Sequence, residues 1–327
     1  MQLYRRTDHV ETRSPPYVQP YCSPVLEIRP CTNEDEEERA LAIYNAVWPS
    51  EAITLDEVHE FRASTLAFVT FLASRDGADV GSVASALVPT HRNRAWTHLT
   101  VPPEHRRRGV GTALYRAVSA WLEDHEIPVI QAMVAEDDPE SFAFAERRGF
   151  REINRNRRMI LDLAEVEPPA VRPPDGIELT SWEERPELAR AIYEVACEAL
   201  PDIPGDEDRT METFDQWLAK MQRPSEREAA TFVALAGDEA VGYARFGLTA
   251  AQPTVAFHEM TGVKRAWRGR GIAGALKRAQ IGWAKEHGYE RLATENELRN
   301  APIRRLNKAL GYRSAPGTVV LTGPLAR

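Results

Sequence analysis

Two short stretches of this 327-residue chain set arginines and glycines at a spacing suited to holding a phosphate ester. The first runs Arg106-Arg107-Arg108-Gly109-Val110-Gly111-Thr112, the second Arg268-Gly269-Arg270-Gly271-Ile272-Ala273-Gly274. Each follows a strand-like segment, Leu99-Thr100-Val101 or Thr261-Gly262-Val263, and each opens a helical pattern. A helix N-terminus has free backbone N–H groups and a partial positive charge. Glycines let that backbone wrap a pyrophosphate without side-chain obstruction. The arginines add charge and forked donors. Arg-x-x-Gly-x-Gly/Ala therefore reads as an anion cradle, with a solvated basic turn as the plainer alternative. Gly269-x-Gly271-x-x-Gly274 also spells the dinucleotide fingerprint. Its counterpart, Arg107-x-Gly109-x-x-Thr112, lacks two of those glycines, and the motif does not follow the first strand of its half, so a dinucleotide fold is disfavoured.

The two cradles belong to a repeat. Val101 matches Val263, Arg106 matches Arg268, Gly109 matches Gly271 and Leu114 matches Leu276, each pair 162 residues apart. Gly149-Phe150 matches Gly311-Tyr312 at the same offset, so no net insertion separates the landmarks. Between the halves lies Glu165-Val-Glu-Pro-Pro-Ala-Val-Arg-Pro-Pro-Asp175, whose four prolines favour an extended linker. The expected division is a tail over 1–24, a domain over 25–164, a linker over 165–175 and a second domain over 176–327.

The elements that must position the cradles recur in both halves. In the second, Ile177–Thr180 reads as a strand and Glu187–Leu200 as a helix with Leu188, Ile192, Val195 and Ala199 inward. A short helix over Met211–Met221 follows. Strands over 231–236 and 240–246 pair through the Gly237-Asp238 turn, and 254–263 is a further strand. A helix over Gly271–His287, with Ile272, Leu276, Ala279 and Trp283 inward, ends at Gly288. Strand 291–296, helix 300–310 and strand 318–322 complete the half. The order β-α-α-β-β-β-α-β-α-β predicts an α/β (α+β) fold, each domain a mixed, mostly antiparallel sheet flanked by helices.

These residues resemble the GNAT acetyltransferase superfamily, whose motif is Gln/Arg-x-x-Gly-x-Gly/Ala opening a helix after a long central strand. The tandem layout is similar to that of the mycothiol synthases. The resemblance covers residues 25–327 and implies two GNAT-like domains using acetyl-CoA or another acyl-CoA. It places the pyrophosphate on both cradles and the pantetheine arm along 99–101 and 261–263. Thr294-x-Asn296-x-x-x-Asn300 extends the second-half site, where Asn296 and Asn300 could meet pantetheine amides and Asn300 could equally cap a helix.

Many family members carry a glutamate on the central strand as general base. Here that position is Glu259 in the second half and Thr97 in the first, which points to the second half as the catalytic one and the first as non-catalytic. Glu259 could instead face solvent or pair with Arg245. His258 reads as structural. A tyrosine four residues before the Gly-Phe landmark, general acid in many members, is absent. Ala145 and Asn307 hold the two positions, and Asn307 can donate a hydrogen bond to the sulfur. Tyr289 and Tyr312 qualify by chemistry, not by position. The resemblance thus implies an N-acetyltransferase acting on a small-molecule primary amine. The alternative is a tandem protein that binds or senses acyl-CoA without turnover. An aminoacyl-tRNA-dependent transferase is opposed by the intact cradles and net acidity.

Composition agrees. The net charge of −8 argues against nucleic-acid binding, while local basic clusters suit a small anionic ligand. No apolar run spans a membrane, and residues 1–30 lack the pattern of a secretory signal. Three cysteines, Cys22, Cys31 and Cys197, form no metal or disulfide pattern and suit the cytoplasm. A monomer or homodimer without metal is expected. The acidic run Asp202, Asp206, Glu207, Asp208 could attract an amine or simply be solvated.

Overall fold

The structure, a computed structural model, describes residues 25–91, 93–205, 210–223 and 228–327. The expected tail, Cys22, Asp206, Glu207 and Asp208 lie outside them. The first half runs β1 (Leu26–Pro30), α1 (Glu34–Val47), α2 (Leu55–Arg62), β2 (Ala67–Arg75), β3 (Ala78–Leu87), β4 (Arg94–Thr100), α3 (Val110–Asp124), β5 (Val129–Ala135), α4 (Pro139–Glu146) and β6 (Arg151–Asp162). The second runs β7 (Glu178–Ser181), α5 (Ala189–Ala199), α6 (Phe214–Met221), β8 (Thr231–Ala236), β9 (Glu239–Leu248), β10 (Val255–Val263), α7 (Ile272–Glu286), β11 (Arg291–Glu297), α8 (Ala301–Ala309), β12 (Arg313–Ala315) and β13 (Thr318–Pro324). The fold is α/β, a mixed and mostly antiparallel sheet flanked by helices. Among the described residues only β4–β5 and β10–β11 pair in parallel. No helix among the described residues is long and apolar enough to cross a membrane.

Local sequence explains the helices near the site. Thr54 with Glu57 and Thr213 with Gln216 form reciprocal capping boxes that start α2 and α6. Leu188, Ile192, Val195 and Ala199 pack α5 against Val233, Tyr243 and Met260 of the sheet. For α7 the expected inner face needs correction. Ala279 and Trp283 are only half-buried, whereas Lys277 and Gln280 point inward and are 1% and 0% exposed.

One sheet runs through both halves, in the order β1-β2-β3-β4-β5-β13-β6-β11-β10-β9-β8-β7. The last strand of each half is therefore exchanged. β13 pairs with β5 of the first half, Pro324 opposite Val129, and β6 pairs with β11 of the second, Asp162 opposite Arg291. The second pairing is the first shifted by the repeat offset with the roles of the halves swapped. The same holds for Leu321 opposite Glu152 and Ser314 opposite Met159. The exchange brings each half's loops over the other. Glu57 accepts from the Thr249 hydroxyl at 2.7 Å and Ala250 N–H at 3.2 Å, and the Gln252 amide donates to the carbonyls of Ser50 and Ala52. In the mirrored position, Thr210 N–H donates to the Thr90 carbonyl at 3.1 Å.

Candidate active site

In the second half the chain leaves β10 and reaches α7 through Arg268–Gly271. Gly269 and Gly271 have φ of 76° and 89°, and no side chain caps the helix. An added Cβ on Gly269 would meet nothing within 4 Å, so glycine is favoured there by its positive φ rather than by crowding, and the concavity it leaves is open. Arg268 Nε donates to the Val263 carbonyl at 2.9 Å, clamping the turn to the strand. The first-half turn repeats this geometry, with Gly109 at φ 86° and Arg106 Nε donating to the Val101 carbonyl at 3.1 Å. It departs in two ways. Arg107 takes the positive φ (61°) that Gly269 has, and Arg106 is tied to Asp138 at 3.0 Å and Glu140 at 3.3 Å.

Beyond each turn the two parallel strands part. β10 pairs with β11 only from Val255 to Phe257, although both strands continue, and β4 pairs with β5 only from Arg94 to Thr97. The wedge exposes strand backbone on Thr261–Val263 and Leu99–Val101, which suits the amides of an extended pantetheine arm. In the first half the wedge and turn open into a cavity of about 380 Å³. Of the residues expected there between Leu99 and Thr112, all line it except Arg108, whose carbonyl accepts from Arg75, and Val110, a core residue. Ile272 is likewise core, 1% exposed, and Arg270 lies over the Trp267 ring at 4.7 Å.

Glu259 stands at the second wedge. The β9–β10 register shifts between His258 and Met260, which makes Glu259 the extra residue of a bulge. The bulge sends His258 and Met260, two residues apart, into different cores, and turns Glu259 outward. Its carboxylate is 3.6 Å from Arg245 Nη2. Gly247 makes room for it, because a Cβ there would come within 2.7 Å of Glu259 Cγ. In the first half β3 and β4 pair without a shift, and Thr97 bonds the Ser85 hydroxyl at 2.9 Å.

Three residues that sequence reasoning missed surround Glu259. Arg158, 8% exposed, crosses from β6 to hydrogen-bond Glu51, and its Nη2 donates to the Ser50 carbonyl at 3.0 Å. Glu295 of β11 lies 4.0 Å from Arg158 Nη1 and accepts from Thr318 at 2.6 Å. Burial pushes the Glu51 and Glu295 carboxyls above the ordinary value. Arg158 pulls both down, while Glu51 is pushed further up by Glu259 and Glu295 by Glu51. The second-half wedge is thus rimmed by carboxylates from both halves. At the first-half wedge the positions matching Glu259, Glu295 and Arg158 are Thr97, Met133 and, on the exchanged strand β13, Val320.

Behind the wedge lies a buried polar set. His258 Nδ1 meets Gln280 Oε1 at 2.9 Å and its Nε2 meets the Tyr312 hydroxyl. An amide oxygen can only accept, so Nδ1 carries the proton and Tyr312 donates to Nε2. Burial, and then the Lys277 charge, hold the His258 pKa well below its usual value, so this histidine is neutral and structural. Burial also holds the Tyr312 hydroxyl well above its usual pKa, so it stays protonated, its proton engaged on His258. Tyr289 stacks on Trp283, 5.8 Å between ring centroids. Asn307 is fully buried and donates to Asn296 Oδ1 at 2.7 Å. Asn300 occupies the N-cap of α8 but makes no capping bond, in contrast to Asp138, which caps α4.

Of the acidic run, Asp202 lies among the described residues and is tied to the cradle rather than free to attract an amine. Asp202 is held by Arg265 at 2.8 Å and by Arg268 at 2.7 Å, and these partners lower its carboxyl to about 2. It orients the arginines of the cradle.

With this geometry the chain matches the Acetyltransferase (GNAT) family over residues 33–150 and 189–312. It belongs to that family, as a tandem member with two copies of the domain. It is 29% identical over 252 residues to the mycothiol acetyltransferase of Nocardia farcinica, covering 75% of this chain and 79% of that protein. Over 128 residues it is 30% identical to an aminoglycoside N(6')-acetyltransferase type 1 of Stenotrophomonas maltophilia, covering 37% of this chain and 79% of that one. Among solved structures, a GCN5-related N-acetyltransferase from Sphaerobacter thermophilus shares the fold with a TM-score of 0.72, at 22% identity over 92% of this chain and 96% of that one. A tandem GNAT protein from the clavulanic acid biosynthesis pathway also gives 0.72, at 24% identity over 93% and 99%.

Proposed function

We propose that this protein is an acetyl-CoA-dependent N-acyltransferase for a small-molecule primary amine, with the second half carrying the chemistry. The observation that carries the reading is Glu259, presented by a bulge at the mouth of a strand wedge whose other end is an anion cradle. The cradle fits the group. Two positive-φ glycines, an uncapped helix of 15 residues and Arg268 would hold the pyrophosphate, and Thr261–Val263 would hold the pantetheine. Bound acetyl-CoA supplies a thioester carbon open to attack by an amine.

The chain's own residues do the rest. The three carboxylates Glu51, Glu259 and Glu295 outnumber the two arginines paired with them, Arg158 and Arg245, and the surplus negative charge favours a cationic amine at the wedge. Glu259, with side-chain exposure of 41%, takes the proton that makes the amine nucleophilic and passes it to solvent. The amines named for the two relatives, mycothiol and aminoglycosides, agree with a polar small-molecule acceptor. The first half keeps the turn and cavity but has Thr97 for Glu259, so it holds acyl-CoA without turning it over. The second reading, acyl-CoA sensing without catalysis, draws on the missing tyrosine at Ala145 and Asn307.

Calorimetric titration of acetyl-CoA into wild type and the Arg268→Glu/Gly271→Glu double variant tests the cofactor assignment. The variant is expected to lose one site, leaving the stoichiometry of the first half. Amine-dependent release of free thiol decides between the readings. Acetyl-CoA binding with no amine-dependent release would favour the sensor, and no binding at sub-millimolar ligand would refute both.

A further inference from the structure

Proton accounting at the second-half wedge leaves one role unfilled. Acyl transfer forms a bond between the amine nitrogen and the acyl carbon and breaks the carbon–sulfur bond. The amine's proton goes to Glu259. The sulfur leaves with the bonding electron pair and needs a proton of its own. The Asn307 amide cannot supply it. The Tyr312 hydroxyl proton is committed to His258 Nε2, and His258 is neutral.

We propose that Lys277 is the proton donor to the departing thiolate. The inference rests on the acyl-CoA reading of the second half. Its geometric basis is the repeat. α3 and α7 correspond residue by residue at the constant offset, so Lys277 matches Tyr115, Gln280 matches Val118, Asn307 matches Ala145 and Tyr312 matches Phe150. Tyr115, Val118, Ala145 and Phe150 all line the first-half cavity that opens at the anion cradle. The matching second-half positions occupy the corresponding place behind the second cradle, and all four there are polar.

Their chemistry points the same way. Lys277 is 1% exposed, and burial is the sole cause shifting its pKa, with no carboxylate contributing. A buried ammonium without a counter-charge costs stability, and an incoming thiolate would supply that counter-charge. The titratable groups facing it are His258 from β10 and Tyr312 beyond α8, whose ring centroid is 5.6 Å from Nζ. Asn307 Oδ1 and Gln280 Nε2 are buried with no hydrogen-bond partner among the described residues, as expected of a wall that receives a polar ligand atom. Burial lowers the Lys277 ammonium to about 7. It can therefore give up a proton and be recharged from solvent near neutral pH.

The test uses free CoA and the full-length protein. CoA is bound to wild type, Lys277→Met and Lys277→Gln, and its thiolate absorbance is followed against pH. Thiolate and ammonium stabilise each other, so the thiolate of bound CoA supplies the counter-charge that keeps Lys277 protonated above 7, and the bound thiol of wild type is expected to ionise about one pH unit lower than in either variant. In turnover, Lys277→Met is expected to lower kcat by roughly 10²–10⁴-fold with acetyl-CoA affinity held within a few fold. Equal thiol titration in wild type and both CoA-bound variants would overturn the proposal. A thiol shift without amine-dependent release in wild type would sink the acetyltransfer reading and leave the placement of Lys277 intact. Failure of wild type to bind CoA would remove both. Lys277→Gln covers the case in which methionine disturbs folding.

Discussion

Replacing Arg158 with methionine should destabilise the protein in a way that depends on pH, and the sign follows from the carboxylates it serves. Arg158 is 8% exposed and neutralises Glu51 and Glu295, whose side chains keep 28% and 15% exposure. Breaking a buried pair by removing one partner costs about 3–5 kcal/mol, and the residual hydration of Glu51 argues for the lower end, about 3 kcal/mol at pH 7. Both carboxyls already sit above the ordinary glutamate value because of burial. Between that value and the raised folded one, the folded chain binds more protons than the unfolded chain, so stability falls as pH rises. Removing Arg158 raises both folded values and widens the window. Below the ordinary glutamate value both states are protonated, and the deficit should shrink to about 1 kcal/mol, the lost hydrogen bonds to Ser50. Urea unfolding at pH 7 and pH 4 reads the difference as a midpoint shift at unchanged slope. Adding Glu51→Gln should restore part of the loss, with a coupling of about 1–2 kcal/mol. A deficit equal at both pH values, with additive variants, would refute the reasoning.

Two further outcomes test the bulge. Glu259→Gln should lower kcat by roughly 10²–10⁴-fold while acetyl-CoA affinity, read by calorimetry, stays unchanged. Gly247→Ala places a methyl 2.7 Å from Glu259 Cγ and must displace it. Its kcat should fall at least about tenfold, with stability changed by no more than about 1 kcal/mol because Glu259 can swing outward. Wild-type kcat in Gly247→Ala would show that the carboxylate's position is immaterial.

The cradles and the repeat could be read from the sequence because they rest on local rules. A positive-φ glycine before a helix and an apolar stripe at helical spacing are set by neighbouring residues. The strand exchange could not be read that way. A strand's inward and outward pattern is the same whether it pairs with its own half or the other, so β6 and β13 carry no mark of their partner. The bulge was hidden for a related reason, since simple alternation reads smoothly through His258 and Glu259. Glu51 and Arg158 are 107 residues apart and meet only because β6 enters the second half's sheet. Lys277 and Gln280 were passed over because an apolar count assigns polar residues to the outside of a helix. Asp202 was misread because its partners, Arg265 and Arg268, come from a turn more than 60 residues away.

The exchange also makes the first half part of the second-half wedge. The second-half wedge takes Glu51 from the α1–α2 connection and Arg158 from β6, both from the first half's sequence. Gln252 fastens that connection through Ser50 and Ala52, and Thr249 fastens the start of α2 through Glu57. A separated second half would lack β6, the strand beside β11, and with it Arg158, which reaches Glu295. The first half therefore remains necessary to the second-half site even if its own cavity never turns over a substrate. A substitution in the first half that frees the 49–53 segment should lower activity at Glu259 without touching either cradle.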